Sequence, residues 1–255
     1  MKLGVFQAAT GGLGLEERLM RLDRVLEGQA LDLVVCPELF ATGYHIEADH
    51  RDLGEPAEGQ YFQAVKDLAK NHRCAIAYGY PEAAGPTFNS AAVVGANGAL
   101  LANHRKRLAS SGSFEEASFA NGETQTLFEL AGVRVAVAIC YEIEFPETAR
   151  AAALAGADLL IAPTALVDAW PAVAECVVPT RAFENGLWVA YANHCGRELS
   201  HDYLGGSRIV APDGSVVAVA GRDETLLVAT INKGAVTHAR DRHRFLHNCS
   251  KLREA

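Results

Sequence analysis

The chain is expected to be an α/β protein, a four-layer α-β-β-α sandwich of two mixed sheets. Three observations predict it. Short apolar runs of strand length alternate with stretches whose apolar residues recur every three or four positions, the period of a helix. The alternation occurs twice, each time as strand, helix, strand followed by antiparallel strands, so two sheets facing each other with helices outside is the most economical packing. No Pro-, Gly- or Ser-rich linker separates the halves, so 1–255 is expected to form one domain.

Lys2 to Ala8 is a first strand, and Thr10-Gly11-Gly12-Leu13-Gly14 a turn without the spacing of a dinucleotide-binding loop. Leu15, Leu19, Leu22, Leu26 and Ala30 mark a helix face, and Leu31 to Glu38 a second strand, stopped by Pro37. Phe62, Val65, Leu68 and Ala69 mark the next helix, between Gln60 and His72. Runs at Cys74–Tyr80, Phe88–Val94 and Ala99–Lys106 follow, the last two joined by Asn97-Gly98, a strong hairpin signal that makes this sheet mixed. The segment from Ala109 to Ala120 is a serine-rich loop or one helical turn.

Leu127 to Val135 is a hairpin whose second strand runs on to Cys140. A helix over Phe145–Ala157 and a strand over Asp158–Pro163 complete a second crossover. Ala172–Gly186 is helical with Pro179 near its start or at a kink, and Leu187–Asn193 returns as a strand. Ser207–Val210 and Ser215–Val219 form a hairpin around Pro212-Asp213-Gly214, and Thr225–Ile231 a last strand. The tail from Gly234 is polar, basic and weakly patterned, expected to fray or to pack on another subunit.

Composition narrows the function. Apolar residues make up 49% and charged residues 21%, ordinary for a folded globular chain. A net charge of −8 argues against a nucleic-acid partner, and the one basic cluster, His104-Arg105-Lys106-Arg107, is short. The most apolar window, Ala151–Val167, is broken by Asp158 and Pro163, so no membrane span is expected. The N-terminus does not read as a signal peptide, and six cysteines, at 36, 74, 140, 176, 195 and 249, form neither a disulfide framework nor a CxxC metal pair. Reduced thiols and a cytoplasmic location are expected. His243 and His247 supply only two ligands, so no metal is called for.

Glu38, Lys106 and Cys140 each fall at the end of a strand, where ligands bind in open α/β sheets. A helix beginning at Pro146 is expected to favour a Cys140 thiolate, and Lys106 to lower the thiol's pKa further. A cysteine nucleophile needs a proton acceptor and an oxyanion donor, which Glu38 and Lys106 supply. Glu115, should the polar loop fold back, would hold Lys106 and assist proton transfer. Taken singly, Cys140 reads equally as a core cysteine, Glu38 as a turn cap, Lys106 as a surface base and Glu115 with Glu116 as a solvated pair. The conjunction favours chemistry.

The segments Cys36-Pro37-Glu38-Leu39-Phe40 with Thr42-Gly43-Tyr44, then His104-Arg105-Lys106, then Ile139-Cys140-Tyr141-Glu142-Ile143-Glu144-Phe145-Pro146-Glu147 occur in the order found in the nitrilase or carbon-nitrogen hydrolase superfamily, which the chain resembles over nearly its full length. Tyr78-Gly79-Tyr80-Pro81-Glu82, Phe88-Asn89-Ser90 and Tyr191-Ala192-Asn193-His194-Cys195-Gly196 look most like its aliphatic amidases of the 5-aminopentanamidase type. The resemblance implies the α-β-β-α fold, catalytic Glu38, Lys106 and Cys140, and subunits paired through outer helices as a homodimer or higher oligomer. It also implies a small primary amide as substrate, hydrolysed through a thioester without a cofactor. One departure is the segment after Lys106, Arg107-Leu108-Ala109-Ser110-Ser111-Gly112-Ser113-Phe114, where the family has a His-Leu-Phe. Alignment on Phe119 and Gly122 puts Glu115 at the second-glutamate position, with Glu116 the alternative. The oxyanion is expected at Lys106 and the Tyr141 backbone N–H, in a pocket walled by Phe40, Tyr44, Glu142 and Thr164.

A nitrilase would use the same residues on a nitrile. A binding protein that keeps the fold without catalysis is a third reading, and a serine hydrolase is disfavoured because no Gly-x-Ser-x-Gly elbow occurs.

Overall fold

The computed structural model describes residues 1–45 and 49–253. The larger sheet is built on β1 (Lys2–Ala9), β2 (Leu33–Val35), β3 (Ala75–Ala83), β4 (Thr87–Val94) and β5 (Leu100–Arg105), with α1 (Leu15–Leu26) and α2 (Gln60–His72) in the crossovers. β1, β2 and β3 are parallel, and β4 and β5 follow antiparallel through the Asn97-Gly98 turn. Gly98 sits at φ +81, a conformation glycine adopts without a side-chain penalty.

The chain then forms a short α3 (Glu115–Ser118) and enters the second sheet with β6 (Leu127–Leu130) and β7 (Val133–Val137). A 3-10 turn (Cys140–Glu144), α4 (Pro146–Leu154) and β8 (Leu159–Pro163) follow. A π-turn over Val173–Val177 leads into α5 (Val178–Asn185), with Pro179, which has no N–H to give a helical carbonyl, in the first turn. β9 (Trp188–Ala192) adds to β8, and β12 (Arg208–Val210) and β13 (Val216–Val219) complete this sheet in the order β13-β12-β9-β8-β7-β6.

Two pieces were not expected. β10 (His194–Glu198) and β11 (His201–Leu204) form a hairpin that joins the larger sheet beside β1, so the chain crosses between sheets at Asn193. Asn193 fastens that crossing: its Nδ2 donates to the carbonyls of Leu166 and Gly205, and its Oδ1 accepts from Leu166 N. β14 (Thr225–Thr230) also lies against β1, antiparallel over Lys2–Gln7. The tail, expected to be weakly patterned, is helical: α6 (Lys233–His243) and α7 (Phe245–Arg253). Asn232 caps α6 by accepting from Ala235 N, and Arg240 donates to the carbonyls of Ala157 and Asn185, so basic side chains dock this helix where apolar ones are few.

Period-two alternation explains the four layers. Leu3, Val5, Leu33 and Val35 point inward to meet Val135, Val137, Leu159 and Ile161 of the second sheet. Their neighbours Phe6 and Val34 face outward onto Leu22, Leu26, Phe62 and Val65 of α1 and α2. Ala136, Leu160 and Val189 do the same against alanines of α4 and Ala182 of α5, small residues that let those helices lie close.

After β2 the chain is pinned along β3: Cys36 N donates to Ala77 O, Gly79 N to Pro37 O and Ala41 N to Gly79 O. This contact has no room for a side chain on Gly79. A Cβ there would lie 2.2 Å from Leu39 N and 2.9 Å from Glu38 Cα. Gly79→Ala is therefore expected to cost about 2 kcal/mol by overpacking, read as a lowered Tm, and to reduce activity by moving Glu38; an unchanged Tm and rate would show that this approach is not tight.

Candidate active site

Glu38 leaves β2 in a turn whose next residue, Leu39, sits at φ +47. Its Oε1 accepts from Lys106 Nζ and from Asn89 Nδ2, both at 2.7 Å, and its Oε2 is buried with no hydrogen-bond partner among the described residues. The Glu38 carbonyl accepts from His194 Nε2 at 2.7 Å, so the unexpected hairpin reaches the site. Lys106 lies one residue past β5, its backbone N–H donating to Asn89 O. Asn89 thus aligns the Glu38 and Lys106 segments.

The Lys106 ammonium is 2% exposed and its three N–H groups are taken up by Glu38, by both oxygens of Glu115 (2.9 and 2.7 Å) and by Ser110 Oγ (3.1 Å). The loop after Lys106 does fold back. Glu115 opens α3 and accepts as well from Ser110 Oγ and the Tyr44 hydroxyl, whereas exposed Glu116 only accepts from Gly112 N. Glu115 is the glutamate at the lysine.

Cys140 follows β7 and Ile139, adopting φ +48 at the start of its 3-10 turn. A left-handed conformation costs a non-glycine residue about 1–2 kcal/mol, so packing must hold it. Glu142 does much of this. Its Oε2 accepts from Ile139 N and His104 Nε2, its Oε1 from Arg107 Nε and N, so one carboxylate ties the cysteine turn to both flanks of Lys106.

Burial opposes every charge here, and the partners decide the outcome. Lys106 is desolvated, yet Glu38 and Glu115 outweigh that and raise its pKa, so it stays charged. Burial pushes Glu115 up, but Lys106, Tyr44 and Ser110 hold it below the usual carboxylate value. Glu38 goes the other way: burial and the Glu115 charge raise it, against the pull of Lys106 and the Cys140 thiol. Burial and the Glu38 charge also raise Cys140 well above an ordinary thiol, with Lys106 opposing. Burial, with Glu38 and Glu115 nearby, thus favours the thiol over the thiolate expected from the helix, which the 3-10 turn separates from Cys140.

Cys140 opens to a cavity of about 580 Å³ with Tyr44, Ser110, Tyr141, Glu144 and Trp170 among its walls. Three expected wall residues lie elsewhere. Phe40 is packed edge-on to Phe6 beneath the helices, Glu142 is buried in the contacts above, and Thr164 turns its hydroxyl to Ala162 O. The pattern that suggested Phe40, an aromatic two residues after Glu38, does not resolve which face it takes. Tyr44 is a wall residue, and Glu144, missed in the sequence, lies two positions beyond Glu142. His201, contributed by β11, meets His45 at the rim.

Known proteins resemble this chain over nearly its whole length. The family model described as carbon-nitrogen hydrolase matches residues 2–241. The chain is 39% identical over 251 residues to a Pseudomonas protegens protein called "Hydrolase in pqqF 5'region", covering 96% of this chain and 88% of that one. It is 32% identical over 217 residues to an (R)-stereoselective amidase of Pseudomonas sp, covering 84% and 78%. The solved amidase of Nesterenkonia sp. AN1 superposes with a TM-score of 0.85 at 30% identity, covering 97% of this chain and 98% of that one; it was captured as a variant carrying the product of Michael addition of acrylamide at its active-site cysteine.

His194 gives the site a pH limit. Burial, with Arg18 nearby, lowers its pKa from 6.5 to about 4. Below pH 6.5 the unfolded chain takes up a proton that the folded chain refuses until about pH 4, so stability is full above 6.5 and falls as pH drops across that window. Denaturant midpoints at pH 7 and pH 5 should differ, and His194→Gln, which keeps a donor for the Glu38 carbonyl, should narrow the difference. An equal drop in the variant would assign the acid sensitivity to other groups.

Proposed function

The chain belongs to the carbon-nitrogen hydrolase family, and from that premise we propose that Glu38, Lys106, Glu115 and Cys140 carry out the hydrolysis of a small primary amide. A thiol-dependent amide hydrolase is what the amidase relatives and the amidase fold support. The observation that carries the residue roles is the state of Glu38: one oxygen is tied to Lys106 and Asn89, the other is buried with no donor in hydrogen-bonding geometry among the described residues, and the nearby Cys140 thiol favours the ionised carboxylate.

The amide carbonyl carbon is attacked by Cys140 Sγ as Glu38 takes the thiol proton, which explains why a neutral resting thiol is no obstacle. The oxyanion is held by the Tyr141 N–H, in the first turn of the 3-10 segment, and by Lys106. Of the four Lys106 hydrogen bonds the one to Ser110 is longest and joins the one neutral acceptor, so this is the bond released to the oxyanion. Glu38 then passes its proton to the amide nitrogen and ammonia departs, leaving a thioester. Water gives a proton to Glu38 and attacks the thioester; the acid leaves and the proton returns to sulfur. Glu115 keeps Lys106 charged and oriented. Opposite pKa shifts in the two glutamates fit this division between a base and a fixed counter-ion.

The chain is proposed to work as one domain, because the site draws Glu38 and Lys106 from one sheet and Cys140 from beside the other. Pairing of two copies through the outer helices fits the exposure of Leu154 on α4, Phe183 on α5 and Phe245 on α7. A cytoplasmic location fits six free thiols. No helix of the described residues is long and apolar enough to cross a membrane.

Cys140→Ala should lower kcat/KM for an amide by about four orders of magnitude or more. Glu38→Gln should slow both acylation and deacylation and lower kcat/KM for an amide by about two to four orders of magnitude; a variant that turns over normally would remove Glu38 from the mechanism. In paired ammonia-release assays an amide should outpace its matched nitrile, and the reverse order would make the protein a nitrilase.

A further inference from the structure

Glu144 lines the cavity that holds Cys140, and among the described residues its carboxylate has no hydrogen-bond or ion-pair partner. The two cations whose field it feels, Lys106 and Arg181, are already committed. Lys106 spends its N–H groups on Glu38, Glu115 and Ser110. Arg181 donates from Nε to the Ile143 carbonyl, from Nη2 to the Glu144 carbonyl and from Nη1 to Glu184. No lysine or arginine is among the cavity walls, and the rim histidines His45 and His201 are turned on each other.

Among the described residues, Glu144 is therefore the one carboxylate on the cavity walls, with no lysine or arginine beside it. We propose that Glu144 is a specificity-determining residue that excludes amides whose acyl group carries a carboxylate, so that the acyl group of the substrate is uncharged or cationic. A carboxylate entering this cavity would meet a like charge in a partly desolvated site and find no lysine or arginine on the described walls in exchange for its lost water. Burial raises the Glu144 pKa and outweighs the attraction of Lys106 and Arg181. The inference rests on amide hydrolysis at Cys140.

The test uses the wild-type chain at pH 8 with two matched sets of substrates: the monoamides of succinic, glutaric and adipic acids, each bearing a free carboxylate, and the corresponding diamides, which are neutral and isosteric. Ammonia release should show kcat/KM for each diamide at least tenfold above its monoamide, well beyond the factor of two expected from two equivalent amide groups. Glu144→Gln, isosteric and with no hydrogen bond to lose, should bring the ratio close to two, and Glu144→Arg should invert it. Ratios near two in the wild type, or a large ratio that persists in Glu144→Gln, would overturn this assignment and leave amide hydrolysis standing. If the wild type released ammonia from neither set nor from a simple alkyl amide, the amide reading would fall and this inference with it.

Discussion

A lysine ammonium buried with almost no access to water is the constraint around which this molecule is arranged. Moving such an ion out of water costs several kcal/mol even after relaxation, and Lys106 meets that cost with two carboxylates and a hydroxyl. These come from three separate places: the turn after β2, the start of α3 and the serine loop. The charge can be accommodated only when all three are in position, so the site and the loop above it order together. The same arrangement separates the two glutamates. Glu115, with three donors besides its own contacts to the backbone, is a committed anion, while Glu38 keeps one oxygen without a partner.

A second charged junction holds the nucleophile. Cys140 occupies a backbone conformation that a residue with a side chain disfavours, and Glu142 supports it by bonding Ile139 ahead of the cysteine and His104 and Arg107 around the lysine. Strain at one reactive residue is thus balanced by a carboxylate that never reaches the cavity. Because Glu142 bridges the cysteine turn and the β5 end, the distance between sulfur and ammonium is set by buried ion pairs as well as by sheet packing.

Much of the architecture was legible in the sequence because the strands are buried on both faces and the helices carry clear stripes. The hairpin turn at Asn97-Gly98 and the strand ends at Glu38, Lys106 and Cys140 follow from local chemistry alone, and the structure does set these three side by side. The β10–β11 hairpin was not legible, since His194–Leu204 is polar and its strands are recognised by the partner they join. Phe40 and Thr164 illustrate a related limit: proximity in sequence to a reactive residue does not say which side of the backbone a side chain leaves from. The C-terminal helices were hidden by scarce apolar residues, although the Asn232 cap was there to be read. Glu142 and Glu144 differ by two positions, and only the three-dimensional turn decides that the first is buried scaffolding and the second faces the cavity.

The position of β1 has a bearing on how the protein comes into being. β1 is flanked on one side by β2 and on the other by β10 and β14, both far later in the chain, and Met1 N donates to the Ile231 carbonyl. A nascent chain emerging from the ribosome therefore carries an open strand edge on β1 until Thr225–Thr230 has been made. Pairings of such sequence separation form slowly and leave an edge exposed to other chains meanwhile. His194, which steadies the Glu38 turn, arrives in the same late stretch. Activity should thus appear as a single late event in synthesis, and chains cut short before Thr225 should aggregate through β1 instead of working at reduced rate.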